Sequence, residues 1–472
     1  MHAEPPDFPT VHAPLAWWAA RTPHALALDD GLLRLDFAGL AAQVAAGARA
    51  LHGAPAIAWV DGGAAPGAQI VRFLAILASG RTAAVSDPDW PPAVRAQMLA
   101  RMADVAPPSA AGEAGVPQGP FYIGFTSGST GLPKGFRRSH ASWTSSFAVC
   151  MDTFGAGARA PVLAPGRMSH SLFLFGALMG LWSGAGMHLQ PRFSAAAALQ
   201  TLCRGDARCL VAVPSQLLLM LELARRQRLA PVPATQLILI SGAPWPRMRT
   251  ADLQALFPQA RIVEFYGASE TSFIAWADSD AALPQGAVGR PFANVQLRID
   301  AAGGEERAGL IYVRSPMVFD DYVTLAPGQD GSAVLRDGDW LSVRDVGHVD
   351  AQGVLHLRGR QQRMFTVQGK NLFPEEVEHV LAAHPAVAAV SVQGLPDALR
   401  GQQPVAALQL REQGAVPAAA LAAWCRQRLE PYKTPRRFYR CADWPRTPSG
   451  KTDHPRIARW LAEAGSTHLH PL

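Results

Sequence analysis

Cysteine is scarce in this chain. The five cysteines are Cys150, Cys203, Cys209, Cys425 and Cys441, and none stand in C-x-x-C spacing. The odd count argues against a disulfide framework, and reduced thiols in the cytoplasm are the simple expectation. Charge is sparse too, at 17% of residues against 49% apolar. The formal charge of +6 over 472 residues is modest. No basic run is interleaved with aromatics, so a nucleic-acid partner is not expected. Long apolar runs are missing. Residues 171–187 are apolar but broken by glycines and short for a membrane span, so they read as core. Residues 1–14 lack the apolar stretch of a signal peptide. A Walker A loop is absent as well, because Gly450-Lys451-Thr452 has Pro445 where the first glycine should stand.

What remains is a long, apolar, soluble-type chain with room for two or three domains. A mild excess of Arg and Lys suits phosphate-bearing ligands, and equally an ordinary solvated surface. Residues 15–20, 37–51 and 71–78 carry helical apolar spacing, and 83–85 reads as a short strand. Residues 210–213, 237–240 and 262–266 read as buried strands. The first ends at Pro214, with Ser215 placed to cap the next helix. The other two end in Ser241-Gly242-Ala243 and in Gly267. Open α/β sheets place ligands where parallel strands end in such small residues. From residue 287 to about 360, short strands and turns replace this alternation. A small strand–helix–strand–helix unit follows, with Pro374 opening a helix that carries Glu375, Glu376 and Glu378 near its start. The fold class expected is mixed α/β: a large N-terminal domain of α/β subdomains plus a β-rich subdomain, then a small mobile C-terminal α/β domain. We place the boundary between residues 1–360 and 361–472.

Chemistry concentrates in a few stretches. After an apolar run at 121–125 comes Thr126-Ser127-Gly128-Ser129-Thr130-Gly131-Leu132-Pro133-Lys134-Gly135. Its glycines allow positive φ and close backbone approach to a ligand. Successive N–H groups in such a turn form an anion site, hydroxyls add donors, and Lys134 supplies a point charge suited to phosphate. Further on, Glu264-Phe265-Tyr266-Gly267-Ala268-Ser269-Glu270-Thr271 offers an aromatic for adenine, a carboxylate for Mg²⁺ and a hydroxyl for a phosphate. Asp345 can serve ribose hydroxyls, whereas Asp337 and Asp339 read as turn residues.

The glycine- and hydroxyl-rich loop resembles the phosphate loop of the adenylate-forming superfamily, which includes acyl- and aryl-CoA ligases, peptide-synthetase adenylation domains and luciferases. Other stretches match in family order over nearly the whole chain, although the segment before the loop is short for the family. Residues 266–270 resemble Y-G-x-T-E, with Ser269 for Thr. Asp345 resembles the Asp of T-G-D, with Val343-Arg344 replacing Thr-Gly. Arg360 matches the family's nucleotide-reaching arginine, and Pro445-Arg446-Thr447-Pro448-Ser449-Gly450-Lys451 resembles P-x-T-x-S-G-K.

The resemblance implies a two-step ligase using ATP, Mg²⁺ and CoA. In the first step a carboxylate attacks the ATP α-phosphate, and in the second a thiol attacks the resulting acyl-adenylate. It implies Lys451 as catalytic lysine, Glu270 on Mg²⁺ and Thr271 at the α-phosphate. Around ATP it implies Thr126, Ser127, Gly128, Ser129, Thr130, Gly131, Lys134, Gly242, Ala243, Tyr266, Gly267, Asp345 and Arg360. The acid is expected beside His170, Gly242 and Gly267, with Gly369 beside the pantetheine arm and Gln362 as hinge, where Asp or Lys is usual. Asn371 stands where the family often has Arg. Residues 167–176 lack the carboxylate that holds an amino acid's ammonium group, so a fatty or aryl acid is expected. Two alternatives stay open: an acyl carrier protein's phosphopantetheine as the thiol, and a nucleotide- or acyl-binding protein without turnover.

Overall fold

The computed structural model describes residues 6–472 apart from 104, 106–118, 127–132, 281, 285, 302–307, 324–333, 398–400, 412–415, 448–449 and 464–465. Three sheets organise the described residues. One has five strands. Ile57–Val60, Thr82–Val85 and Pro120–Thr126 run parallel, and Lys134–Ser139 returns antiparallel to Pro120–Thr126. Tyr322–Val323 closes its edge against Lys134–Ser139. This hairpin holds the loop's two described ends, Thr126 and Lys134, as directly paired residues.

The second sheet has fifteen strands. Its parallel part runs through Leu26–Asp29, Met187–Leu189, Val162–Ala164, Cys209–Ala212, Leu237–Ile240 and Arg261–Ala268. The strands at 209–212 and 237–240 are buried throughout, which is why they read as continuous apolar runs. At Ser272–Asp278 the pairing turns antiparallel, and it continues through Ala287–Pro291, Leu355–Arg360 and Asp345–Val349. The expected change of texture at residue 287 thus follows this switch closely. The third sheet has six strands and spans Phe365–Val367 to His470–Pro471 around its own core of Val377, Leu381, Val392, Leu408 and Phe438.

Several elements differ in detail from the sequence expectation. The third helix is Pro66–Ala78, longer than 71–78, because Pro66 occupies its first turn, where a missing N–H costs nothing. Ser215 does not cap Pro214–Gln227. It lies in the first turn, the N-cap is Val213, and Gln216 Oε1 reaches back to accept the Val213 N–H at 3.2 Å. In the C-terminal unit, an antiparallel pair, Val387–Asp397 with Gly401–Leu410, stands between the helices Pro374–Ala382 and Ala418–Arg426 where one strand was expected. The apolar run at 171–187 forms the helix Ser171–Ser183, leading into Met187–Leu189, and both are largely buried.

Candidate active site

The site lies where the parallel strands of the large sheet end. The strand Arg261–Ala268 carries Tyr266 and Gly267, and a register shift falls between them. A Cβ at Gly267 would come within 1.8 Å of the Ser272 carbonyl oxygen, so only glycine fits this bulge. The chain then turns through Ser269-Glu270-Thr271 and returns as Ser272–Asp278. Thr271 is fully buried, and its hydroxyl oxygen accepts the Ala268 N–H at 3.1 Å. In this structure that hydroxyl closes the turn.

Asp345 and Arg360 face each other as cross-strand partners, and Arg360 Nε lies 3.1 Å from Asp345 Oδ1. The Tyr266 hydroxyl donates to the other oxygen of Asp345. Burial and the adjacent Asp345 carboxylate push the Tyr266 pKa well up, so the phenol keeps its proton. Asp345 raises the Arg360 pKa. An aromatic ring, a carboxylate and a guanidinium therefore converge from three strands.

Glu270 is held from the five-stranded sheet. The Tyr322 hydroxyl donates to Glu270 Oε1 at 2.7 Å, and Lys134 Nζ lies 4.9 Å from the Tyr322 ring centre. Lys134 and Glu270 thus share one neighbour. Tyr322 was missed in the sequence because it lies in no motif, and only the pairing of Tyr322–Val323 with Lys134–Ser139 brings it here. Ser127, Gly128, Ser129, Thr130 and Gly131 lie outside the described residues.

Lys451 enters this cleft from the C-terminal unit. Its loop is a small bridge-closed turn: Arg446 pairs with Thr452, and Thr447 N–H donates to the Lys451 carbonyl at 2.7 Å. Trp444 Nε1 donates to Thr452 Oγ1 at 3.1 Å. Gly242 has φ +88°, and a Cβ there would lie 3.7 Å from Lys451 Cε; a Cβ at Gly450 would lie 3.7 Å from Ser215 Oγ. Water still reaches Lys451, but surrounding protein lowers its pKa below 10.5. The Arg360 charge acts in the same direction, while Glu270 and Asp345 oppose it. The structure thus gathers Lys451, Glu270, Asp345, Arg360, Tyr266 and Gly242, five sequence motifs far apart in the chain. Ala243 adjoins Gly242 at the strand end.

His170 precedes the buried helix Ser171–Ser183. Its segment is anchored by Ser169 Oγ, 3.0 Å from Asp87 Oδ2, and by Arg167, which pairs with Asp87 and Asp89. Beyond it, Phe175 stacks on Phe147 and meets Phe273 edge-on, and Phe273 meets Phe265. Gly369 stands apart from the cluster. It forms the tip of the hairpin Phe365–Val367/Lys370–Leu372, with Gln368 at φ +52° and Gly369 at φ +78°, and a Cβ there would meet nothing within 4 Å.

No group of three or more His, Cys, Asp and Glu side chains that could hold a metal ion is found among the described residues. A single carboxylate such as Glu270 suits Mg²⁺, which is commonly held by one carboxylate, water and substrate phosphates. No helix among the described residues is long and apolar enough to cross a membrane.

Comparison with known proteins places the chain in a family. Residues 74–323 match the AMP-binding enzyme family, and residues 376–451 match the AMP-binding enzyme C-terminal domain. The chain is 39% identical over 353 residues to an uncharacterized acyl-CoA ligase, YhfT, of Bacillus subtilis (strain 168), covering 74% of this chain and 70% of that one. It is 31% identical to a 2-succinylbenzoate-CoA ligase of Geobacillus kaustophilus (strain HTA426), covering 73% and 70%. In fold it resembles the o-succinylbenzoate CoA synthetase MenE from Bacillus subtilis, solved with an acyl-adenylate intermediate. That match has a TM-score of 0.80 and 23% identity, and covers 96% of this chain and 98% of that one. The chain belongs to the AMP-binding enzyme family of the adenylate-forming superfamily and is an AMP-forming acyl-CoA ligase.

Proposed function

We propose that this ligase activates an acid with an apolar tail and no α-amino group, using Lys451 as the catalytic cation of the first step. The observation that carries the reading is Lys451 in the cleft, beside Gly242 and within the field of Glu270, Asp345 and Arg360. In this reading Tyr266 stacks on adenine, Asp345 and Arg360 hold the ribose, and Thr126, Lys134 and the loop between them hold the β- and γ-phosphates. Ala243 and Gly267 border the nucleotide. Glu270 holds Mg²⁺, which neutralises phosphate charge when bound. In this reading Thr271 borders the α-phosphate and closes the turn that presents Glu270, its hydroxyl oxygen accepting the Ala268 N–H.

The acid's carboxylate sits between His170, Gly242 and Gly267 and attacks the α-phosphorus. The new P–O bond forms as the bond to pyrophosphate breaks. Lys451 bridges the two oxyanions, so catalysis is positioning and charge neutralisation. CoA then attacks the acyl carbon as its thiolate and AMP leaves, after the C-terminal unit, residues 361–472, has rotated about Gln362 to bring Gly369 to the pantetheine arm. The named relatives are CoA ligases, which favours CoA over a carrier-protein arm. The absence of a carboxylate from residues 167–176, and the rings of Phe175, Phe273 and Phe265 beyond His170, support an apolar tail. Unpaired cysteines, most of them buried, fit the cytoplasm as compartment.

A panel of free carboxylic acids assayed for pyrophosphate release, with and without CoA, tests the reading. Fatty or aryl acids should lead, with CoA speeding turnover. Efficient turnover of a free amino acid would overturn the assignment of the acid.

A further inference from the structure

Arg138 is 1% exposed, in the strand that begins at Lys134. Its guanidinium reaches three separate segments. Nη1 donates to the Ser269 carbonyl at 2.6 Å. Nη2 donates to Ser272 Oγ and to the Met317 carbonyl, both at 2.6 Å. Nε donates to Ser142 Oγ at 3.2 Å. Burial lowers its pKa to about 10, while the charges of Asp320 and Glu270 act in the opposite direction. At neutral pH it is a buried cation solvated by carbonyls and hydroxyls.

The acceptors show what this cation is for. Ser269 and Ser272 bracket Glu270 and Thr271. Met317 begins the segment whose Phe319 N–H donates to the Glu270 carbonyl at 2.7 Å and whose Tyr322 hydroxyl donates to the Glu270 carboxylate. Ser272 has φ +56°, a left-handed conformation that a non-glycine residue keeps only when its surroundings hold it there. Arg138 therefore grips both ends of the turn and its support from one rigid point.

We propose that Arg138 is a positioning residue for adenylate formation: its planar fork fixes the Ser269–Ser272 turn and locks Glu270 in register with the strand that carries Lys134. A lysine would keep the charge but could not span these divergent acceptors. The proposal rests on the reading of Glu270 as the Mg²⁺-holding carboxylate, and Glu270→Gln is measured alongside so that the two ideas fail separately.

The test compares Arg138→Lys, Ser272→Ala and Glu270→Gln in the full-length protein. For each, pyrophosphate release is titrated with Mg²⁺, conversion of supplied acyl-adenylate and CoA to thioester is timed, Mg²⁺-dependent ATP binding is measured by calorimetry, and amide exchange is followed over residues 268–273. Arg138→Lys should slow adenylation roughly tenfold or more, since small displacements at a site cost that much. It should raise the Mg²⁺ requirement in both catalysis and ATP binding, speed exchange in the turn, and leave thioester formation near normal. Ser272→Ala, which removes one acceptor, should move the same quantities less and stands in if Arg138→Lys does not fold. Unchanged exchange and Mg²⁺ dependence in the folded variants, or an equal loss in both half-reactions, would overturn the role of Arg138. A shift with Arg138→Lys but none with Glu270→Gln would keep the grip on the turn and overturn the role of Glu270.

Discussion

At the scale of single residues, the fold shifts the protonation of Lys451, Tyr266 and Arg360. Lys451 is the clearest case. In the proposed first step it must be protonated to draw the carboxylate and the α-phosphate together, yet its surroundings hold its pKa below the ordinary 10.5. Adenylation by the free enzyme, read as kcat/KM for pyrophosphate release, should therefore fall as pH rises through that lowered value, before 10.5 is reached. Stability has the opposite slope over that window. The unfolded chain binds a proton at Lys451 that the folded chain has lost, so this group's contribution rises with pH. Lys451→Arg should be slower but lack the alkaline limb, because guanidinium stays charged. A limb of the same shape in Lys451→Arg would assign the titration to another group. His140 is a buried counterpart with a structural role. It accepts the Val11 N–H at 3.1 Å, stacks on Phe121, and burial lowers its pKa to about 3. Its stabilising contribution is present in full above 6.5 and is lost as pH falls from there toward 3. Acid denaturation should begin near that upper bound and be delayed in His140→Gln if the glutamine keeps the Val11 contact.

At the scale of elements, the hairpin Phe365–Val367/Lys370–Leu372 separates two demands on one glycine. Two successive positive φ values make its two-residue turn, so glycine is favoured at 369 by geometry before any ligand is considered. A leucine there would cost ~1–2 kcal/mol of left-handed strain whether or not a pantetheine arm passes it. Asparagine tolerates that conformation and is the cleaner probe. Gly369→Asn should keep the melting temperature and pyrophosphate release near normal and slow thioester formation. Normal CoA-dependent turnover would mean the thiol does not pass this point.

The same scale shows what the sequence could and could not reveal. Gly267 was legible as a small residue at a strand end, and Asp345 and Arg360 through the family motifs they resemble. The left-handed Arg344, at φ +64°, is legible only by comparison with the glycine usual there. Arg138 and Tyr322 were not legible. An arginine in a strand reads as solvent-facing, and only the pairing of distant strands shows it buried beneath Glu270. Ser215 misled because its cap preference is real, but Pro214 had already started the helix.

At the scale of the whole molecule, the proposed function needs two poses, and the described one fits the pose proposed for the first half-reaction. Lys451 is inserted beside Gly242. Behind it, Gln361 N–H donates to the Arg344 carbonyl at 2.9 Å, and Arg344 Nη1 donates to Gln361 Oε1 at 3.1 Å, next to the proposed hinge Gln362. Glu375 of the helix Pro374–Ala382 packs against Gly359, where a Cβ would come within 2.4 Å of its carboxylate. These contacts are hydrogen bonds and a close approach of one carboxylate to the backbone, which suits a unit that must leave.

In the proposed mechanism Lys451 serves only the first of two reactions carried out by the same chain. Single-turnover measurement of both half-reactions in Lys451→Ala tests it most directly. Pyrophosphate release from ATP and the acid should fall by orders of magnitude, each factor of ten being ~1.4 kcal/mol of barrier. Conversion of supplied acyl-adenylate and CoA to thioester should proceed at close to the wild-type rate. Equal loss of both half-reactions in a folded variant, or normal pyrophosphate release, would remove Lys451 from this role.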